Sequence, residues 1–221
     1  MNNTKAIKGV IFDLDGTLLN SLADLIDACN TMLNHYGLES VSYDLGKTYI
    51  GNGVRKLVMR ALPEKMAEDE KFVDEAEAYF KAEYKTRFTN KTKPYEGVLE
   101  LLSGLQERGI PMGICTNKPQ EAALVIVDTI LDKKIFVDVV GQQADKPRKP
   151  DPTLTLGVAE QMGLAPENLI YVGDSVVDYE NSQNAGMLPV MCTWGFSEPE
   201  KLRALEGCVC VDHPLEILNL L

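Results

Sequence analysis

Two hydrophobic rhythms alternate along the chain. Val10 to Phe12 is a short apolar run that stops on Asp13, as expected of a strand covered on both faces. Leu22, Leu25, Ile26, Cys29, Met32 and Leu33 then recur at helical spacing and end before Gly37, which predicts a helix with a glycine cap at its carboxyl end. Asn20 or Ser21 can cap its start, and Asp24 falls in the first turn, where the helix dipole favours an anion. Asp44 to Phe88 reads as almost wholly helical, broken at Gly51-Asn52-Gly53, with a charged helix over 67–87.

From Tyr95 onward helix and strand take turns. Helices are predicted over 97–108, 119–131, 152–162 and 176–185, with strands over 110–116, 136–141, 168–174 and 188–193, then a shorter terminal section. Such alternation requires right-handed crossovers and a parallel sheet. The predicted fold is therefore α/β, a parallel sheet with helices on both faces and a small all-α segment inserted after the first strand. No internal repeat or low-complexity segment interrupts it.

Composition removes several classes of function. At 221 residues the chain can bury roughly 70% of its unfolded surface, so neither metal nor disulfide is needed to hold it together. No apolar run approaches the roughly 18 residues of a membrane span, and Met1 to Lys8 lacks the apolar stretch of a secretory signal; a cytoplasmic protein without a membrane partner is expected. The net charge of -11 and the absence of a basic stripe argue against nucleic acid. The five cysteines read as reduced thiols. Cys208, Cys210 and His213 could supply three metal ligands, but no neighbour completes a tetrahedral set. Two strand cysteines followed by a histidine at a helix start is the simpler reading.

Functional groups of a parallel sheet gather at the carboxyl ends of its strands. Asp13 and Asp15 follow the first strand, Thr116 and Asn117 follow Met112 to Cys115, and Asp174 follows Ile170 to Gly173. Lys149 joins them if its proline-rich loop reaches the same rim. Each aspartate alone could be a helix cap; coincidence of all of them is harder to explain that way. Asp13, Asp15 and Asp174 are hard oxygen donors of the kind Mg²⁺ takes beside water and phosphate. Lys149, the Thr116 hydroxyl and backbone N–H groups near Asn117 would add donors for an anion.

The segments DLDGT (Asp13 to Thr17), CTN (Cys115 to Asn117), RKPDP (Arg148 to Pro152) and VGDSVVD (Val172 to Asp178) resemble, in order and spacing, the four motifs of the haloacid dehalogenase-like phosphatase superfamily. The insertion resembles the helical cap of the subgroup that includes phosphoglycolate phosphatase. This resemblance implies a Rossmann-like catalytic core of residues 1–17 and 93–221 and a cap of residues 18–92. It implies that Asp13 is a nucleophile forming an aspartyl phosphate and that Asp15 is the general acid and later the base. Asp13, the backbone carbonyl of Asp15, and Asp174 would ligate Mg²⁺; Thr116, Asn117 and Lys149 would bind phosphate. Asp178 would orient Lys149 or a metal-bound water.

Substrate choice falls to the insertion. In YIGNGVRKLV (Tyr49 to Val58) two glycines allow a tight turn, the next residues begin a helix whose N–H groups attract an anion, and Arg55 and Lys56 add charge. An ordinary helix–helix turn with solvated basic residues has the same pattern. Its resemblance to the substrate-facing cap loop makes Gly51 and Arg55 candidate contacts, and a small phosphorylated metabolite such as phosphoglycolate the expected substrate. Sugar phosphates, nucleotides, pyrophosphate or a β-phosphoglucomutase-like isomerisation would use the same core. A receiver-like phosphoaspartate switch shares the Asp, Mg²⁺, Thr and Lys set, but Asp15 and a large cap suit turnover of a bound ester. A monomer or homodimer is expected.

Overall fold

The computed structural model describes residues 6–221. In chain order its first elements are β1 (Gly9–Phe12), β2 (Leu19–Asn20), α1 (Leu22–His35), α2 (Tyr43–Lys47), α3 (Val54–Ala61), α4 (Glu64–Ala67), α5 (Glu70–Lys85) and β3 (Lys93–Pro94). Then come α6 (Val98–Glu107), β4 (Met112–Pro119), α7 (Gln120–Ile130), β5 (Val139–Gln142), α8 (Thr153–Met162) and β6 (Leu169–Gly173). The chain closes with α9 (Val176–Asn184), β7 (Leu188–Cys192), α10 (Pro199–Arg203) and β8 (Val209–Val211).

Among the described residues a six-stranded sheet runs β5-β4-β1-β6-β7-β8, parallel throughout. Strand periodicity divides its side chains between two cores. Val10 and Phe12 face α6 and α7, together with Ile114, Ile170 and Val172. Ile11 faces α8, together with Cys115, Leu169 and Tyr171. The sheet is thus covered on both sides, which explains runs without polar alternation.

The helices α1 to α5 build a separate apolar centre in which Met32 and Leu33 of α1 meet Leu57 and Val58 of α3 and Phe80 of α5. Each such side chain contributes about 1.5–3 kcal/mol when taken from water. The chain passes between the two bodies through the antiparallel ribbon β2–β3, which pairs Leu19 with Pro94 and Asn20 with Lys93. Asp24 reinforces that passage: its buried carboxylate accepts from the N–H groups of Lys91 and Thr92 and from the Thr92 hydroxyl.

Some local readings change. The helix expected over 67–87 is α5, which starts later, at Glu70, because Asp69 caps it by accepting hydrogen bonds from the N–H groups of Lys71 and Phe72; the short α4 precedes it. Ser21 precedes α1 but makes no capping bond; its hydroxyl is directed to Asp15 instead. The terminal section supplies the sixth strand, and its Val209 to Val211 pair with Val190 to Cys192 of β7. Among the described residues no helix is long and apolar enough to cross a membrane.

Candidate active site

Strand β1 lies between β4 and β6, so the segments that follow these strands meet at one rim. The Asp13 N–H donates to the Val172 carbonyl at 2.8 Å, which fixes Asp13 at the strand end. Pairing of β4 with β5 is irregular between Cys115 and Pro119, where Thr116, Asn117 and Lys118 leave the ladder and face the rim. Asp174 follows β6, and the Lys149 loop arrives from beyond β5. Gly16 and Gly195 let two further loops close on Asp174: a Cβ on either would lie 2.3 Å from an atom of that side chain.

Charge there is unbalanced. Asp13, Asp174 and Asp178 each place a carboxylate oxygen within 4.8 Å of the others, and all three are buried. Lys149 Nζ stands 2.9 Å from Asp13 Oδ1 and 2.6 Å from Asp178 Oδ1, so one ammonium faces three carboxylates. Burial pushes the Asp13 carboxyl up to about 6 against the opposing attraction of Lys149. Burial also holds Asp174 well above the usual carboxylate range, reinforced by the charges of Asp178 and Asp13. For Lys149 burial disfavours the cation, but Asp13 and Asp178 outweigh it and raise its pKa.

The donor set fits a divalent cation with oxygen ligands. Asp13 Oδ1 is buried, and its close partner is the Lys149 ammonium at 2.9 Å, which is out of line for a hydrogen bond, so the oxygen keeps its capacity to accept from a ligand. Asp178 is engaged elsewhere: Oδ2 accepts from the N–H and hydroxyl of Ser175 in a capping box that starts α9, and Oδ1 accepts from Lys149. Asp13 and Asp174 are the carboxylates left to face an ion, the number Mg²⁺ commonly takes from protein.

A cavity of about 240 Å³ opens above these groups. Asp13, Asp15, Thr116 and Asp174 form its floor, while Lys47, Thr48, Ile50, Gly51 and Leu57 of the helical body face them, with Phe196 and Lys201 at one side.

Residues 10–192 match the haloacid dehalogenase-like hydrolase family. The phosphoglycolate phosphatase of Psychrobacter arcticus is 34% identical over 208 residues, covering 92% of this chain and 90% of its own. The N-acetylmuramic acid 6-phosphate phosphatase of Pseudomonas aeruginosa is 30% identical, with 97% and 95% covered. The crystal structure of a predicted phosphoglycolate phosphatase from Haemophilus somnus superposes with a TM-score of 0.87 at 30% identity and covers 97% of both chains.

The chain belongs to the haloacid dehalogenase-like hydrolase family. Within it the chain is a phosphoglycolate phosphatase-like phosphoric monoester hydrolase, which separates it from the receiver-like switches.

In this hydrolase the geometry redistributes several sequence-derived assignments. The Asn117 side chain is used on backbone: Nδ2 donates to the carbonyls of Lys149 and Gly51 at 3.2 and 3.3 Å, and Oδ1 accepts from Lys149 N–H at 3.0 Å. It therefore clamps the lysine loop and touches the Gly51 turn. Gly51 lines the cavity, but Arg55 does not. Its guanidinium is turned to α5, where Glu70, Asp74 and Glu77 surround it. The reason lies in helical phase: α3 directs Leu57 towards the cavity and carries Arg55 on another side. Lys47, at the end of α2, is a cation of the helical body that faces the cavity.

Three residues escape sequence reasoning. Lys118 is buried, with Nζ 2.8 Å from both oxygens of Asp15 and 2.7 Å from the Tyr84 hydroxyl. Tyr171 accepts from Lys149 Nζ at 2.8 Å and donates to the Cys115 carbonyl at 2.7 Å. For Lys118 the available signal was adjacency to Cys115-Thr116-Asn117; Tyr84 and Tyr171 read as core residues. Cys210 lies on the edge strand β8, Cys208 just before it, and His213 Nδ1 accepts from Leu215 N–H at the head of a 3₁₀ turn.

Proposed function

We propose that this hydrolase is a Mg²⁺-dependent phosphatase that cleaves a small phosphomonoester through an aspartyl phosphate on Asp13. The reading rests on one observation above all. Three buried carboxylates, Asp13, Asp174 and Asp178, have oxygens within 4.8 Å of one another, and the Lys149 ammonium stands 2.9 Å from Asp13 Oδ1.

Asp13 attacks phosphorus while the ester oxygen departs with a proton from Asp15. Asp15 then takes a proton from water, which attacks the same phosphorus and returns Asp13 to its carboxylate. Lys149 and Thr116 hold the phosphoryl oxygens, and Asp178, with Tyr171, holds Lys149. Asp13, Asp174 and the backbone carbonyl of Asp15 would hold Mg²⁺, whose charge neutralises the carboxylates and the phosphoryl group. Residues 18–92 act as the cap, closing over the rim and excluding water from the intermediate.

Phosphoglycolate or a similar phosphorylated acid is the favoured substrate, with Lys47 rather than Arg55 supplying the cap's charge. The muramic acid phosphatase relative favours a phosphorylated sugar acid as the second reading. Phosphate release with Mg²⁺ from phosphoglycolate, N-acetylmuramic acid 6-phosphate, hexose phosphates, nucleotides and pyrophosphate tests both. Phosphoglycolate should give the highest kcat/KM; release from none of them would overturn the reading.

A further inference from the structure

An ammonium buried beside the proposed acid calls for an explanation. The Lys118 side chain is 2% exposed, and taking such an ion out of water costs several kcal/mol before its partners compensate it. Its three N–H donors are all matched, two by Asp15 and one by Tyr84. Packing does not require the charge, because Tyr84 already stacks on Phe80 and meets Phe88 edge-on, at centroid distances of 5.8 and 5.7 Å.

The partners come from both bodies. Asp15 and Lys118 belong to the sheet rim; Tyr84 belongs to α5 of the cap. Ser21, at the head of α1, adds a hydrogen bond of 2.5 Å to Asp15 Oδ1. The residue after Tyr84, Lys85, pairs with Glu121 of α7 at 2.6 Å, so the end of α5 is docked on the core beside this cluster. Movement of α5 away from the core would remove the Tyr84 hydroxyl from Lys118.

We propose that Lys118 is a positioning residue that fixes the Asp15 carboxyl group for proton transfer, and that Tyr84 makes this fixing depend on cap closure. The inference rests on the acid role given to Asp15 above. A lysine tied only to Asp15 would hold it equally well with the cap open or shut. Through Tyr84 the acid is set in place only when water is excluded, which ties leaving-group protonation to closure.

The leaving group supplies the test. An alkyl phosphate needs an acid to expel its alkoxide, whereas p-nitrophenyl phosphate does not, and kcat/KM reads the steps up to departure of the alcohol. Asp15→Asn serves as the reference and should lower the alkyl value far more than the aryl value. Lys118→Met should reproduce that split, on the order of 10²-fold for phosphoglycolate and within about fivefold for the aryl ester. Tyr84→Phe, which keeps the ring packing, should show a smaller split of roughly tenfold, the worth of one hydrogen bond to a charged group. The double variant should be no worse than Lys118→Met, because Tyr84 acts through the lysine. If Asp15→Asn splits the two esters while Tyr84→Phe leaves both unchanged, or Lys118→Met lowers both equally, this inference alone falls. If Asp15→Asn produces no split, the acid role falls and this inference with it.

Discussion

Asp13 is where burial, charge and chemistry conflict most sharply. Asp13→Asn keeps the volume and removes the proposed nucleophile, so turnover should drop by at least about 10³-fold while the circular dichroism spectrum stays native; substantial activity would exclude the covalent step. The raised carboxyl also makes a prediction about pH. Its pKa lies near 6 in the folded chain against 3.8 when unperturbed, so its contribution to stability is complete below the unperturbed value and is lost as pH rises through 6. A difference of this size amounts to about 3 kcal/mol of destabilisation in the metal-free chain at neutral pH. Mg²⁺ should counter it, so the rise in Tm on adding Mg²⁺ should be larger at pH 7.5 than at pH 5. An equal rise at both values would mean that the ion binds away from Asp13.

Two helices of the proposed cap present cations with different surroundings, and they should respond differently to substitution. Arg55 of α3 is held by three carboxylates of α5, so Arg55→Ala should lower Tm by a few degrees through lost helix–helix ties and leave KM unchanged. Lys47 of α2 faces the cavity, so Lys47→Ala should raise KM for a carboxylate-bearing ester by about fivefold, with little effect on a neutral aryl phosphate. Steady-state kinetics with the two esters decides between them. A KM effect from Arg55→Ala would mean that its ion pairs break when substrate binds.

Across the whole molecule, the cavity is lined by residues of both the sheet rim and the helical body, the proposed cap. Contacts between them include the Asn117 amide on the Gly51 carbonyl and Lys85 on Glu121. Beryllium fluoride with Mg²⁺ should mimic phosphate on Asp13 and hold the cap shut. Amide hydrogen exchange of residues 51–53 should then slow, together with that of Asn117 and Lys118. Slowing at the core residues alone would show that the turn does not follow occupancy of Asp13.

Much of this was written in local pattern. Apolar runs of Val10 to Phe12 and Leu169 to Val172 announce buried parallel strands by themselves, because a strand covered on both faces has no polar period to show. Asp13, Thr116 and Asp174 were legible for a related reason: each ends or follows such a run, and the rim of a parallel sheet collects those positions whatever the strand order, whereas Lys149 depended on its loop reaching that rim. Arg55 and Lys47 were not distinguishable, since which side of a short helix faces a cavity depends on how α2 and α3 pack against α5. Lys118, Tyr84 and Tyr171 lay further out of reach. Their roles arise from contacts such as that between Lys118 and Tyr84, 34 positions apart, which no local period encodes. Sequence determined the strands, the rim and its carboxylates, whose signals are local burial and charge; tertiary packing alone decided which cations meet them, because a buried ion's partners are chosen by three-dimensional proximity.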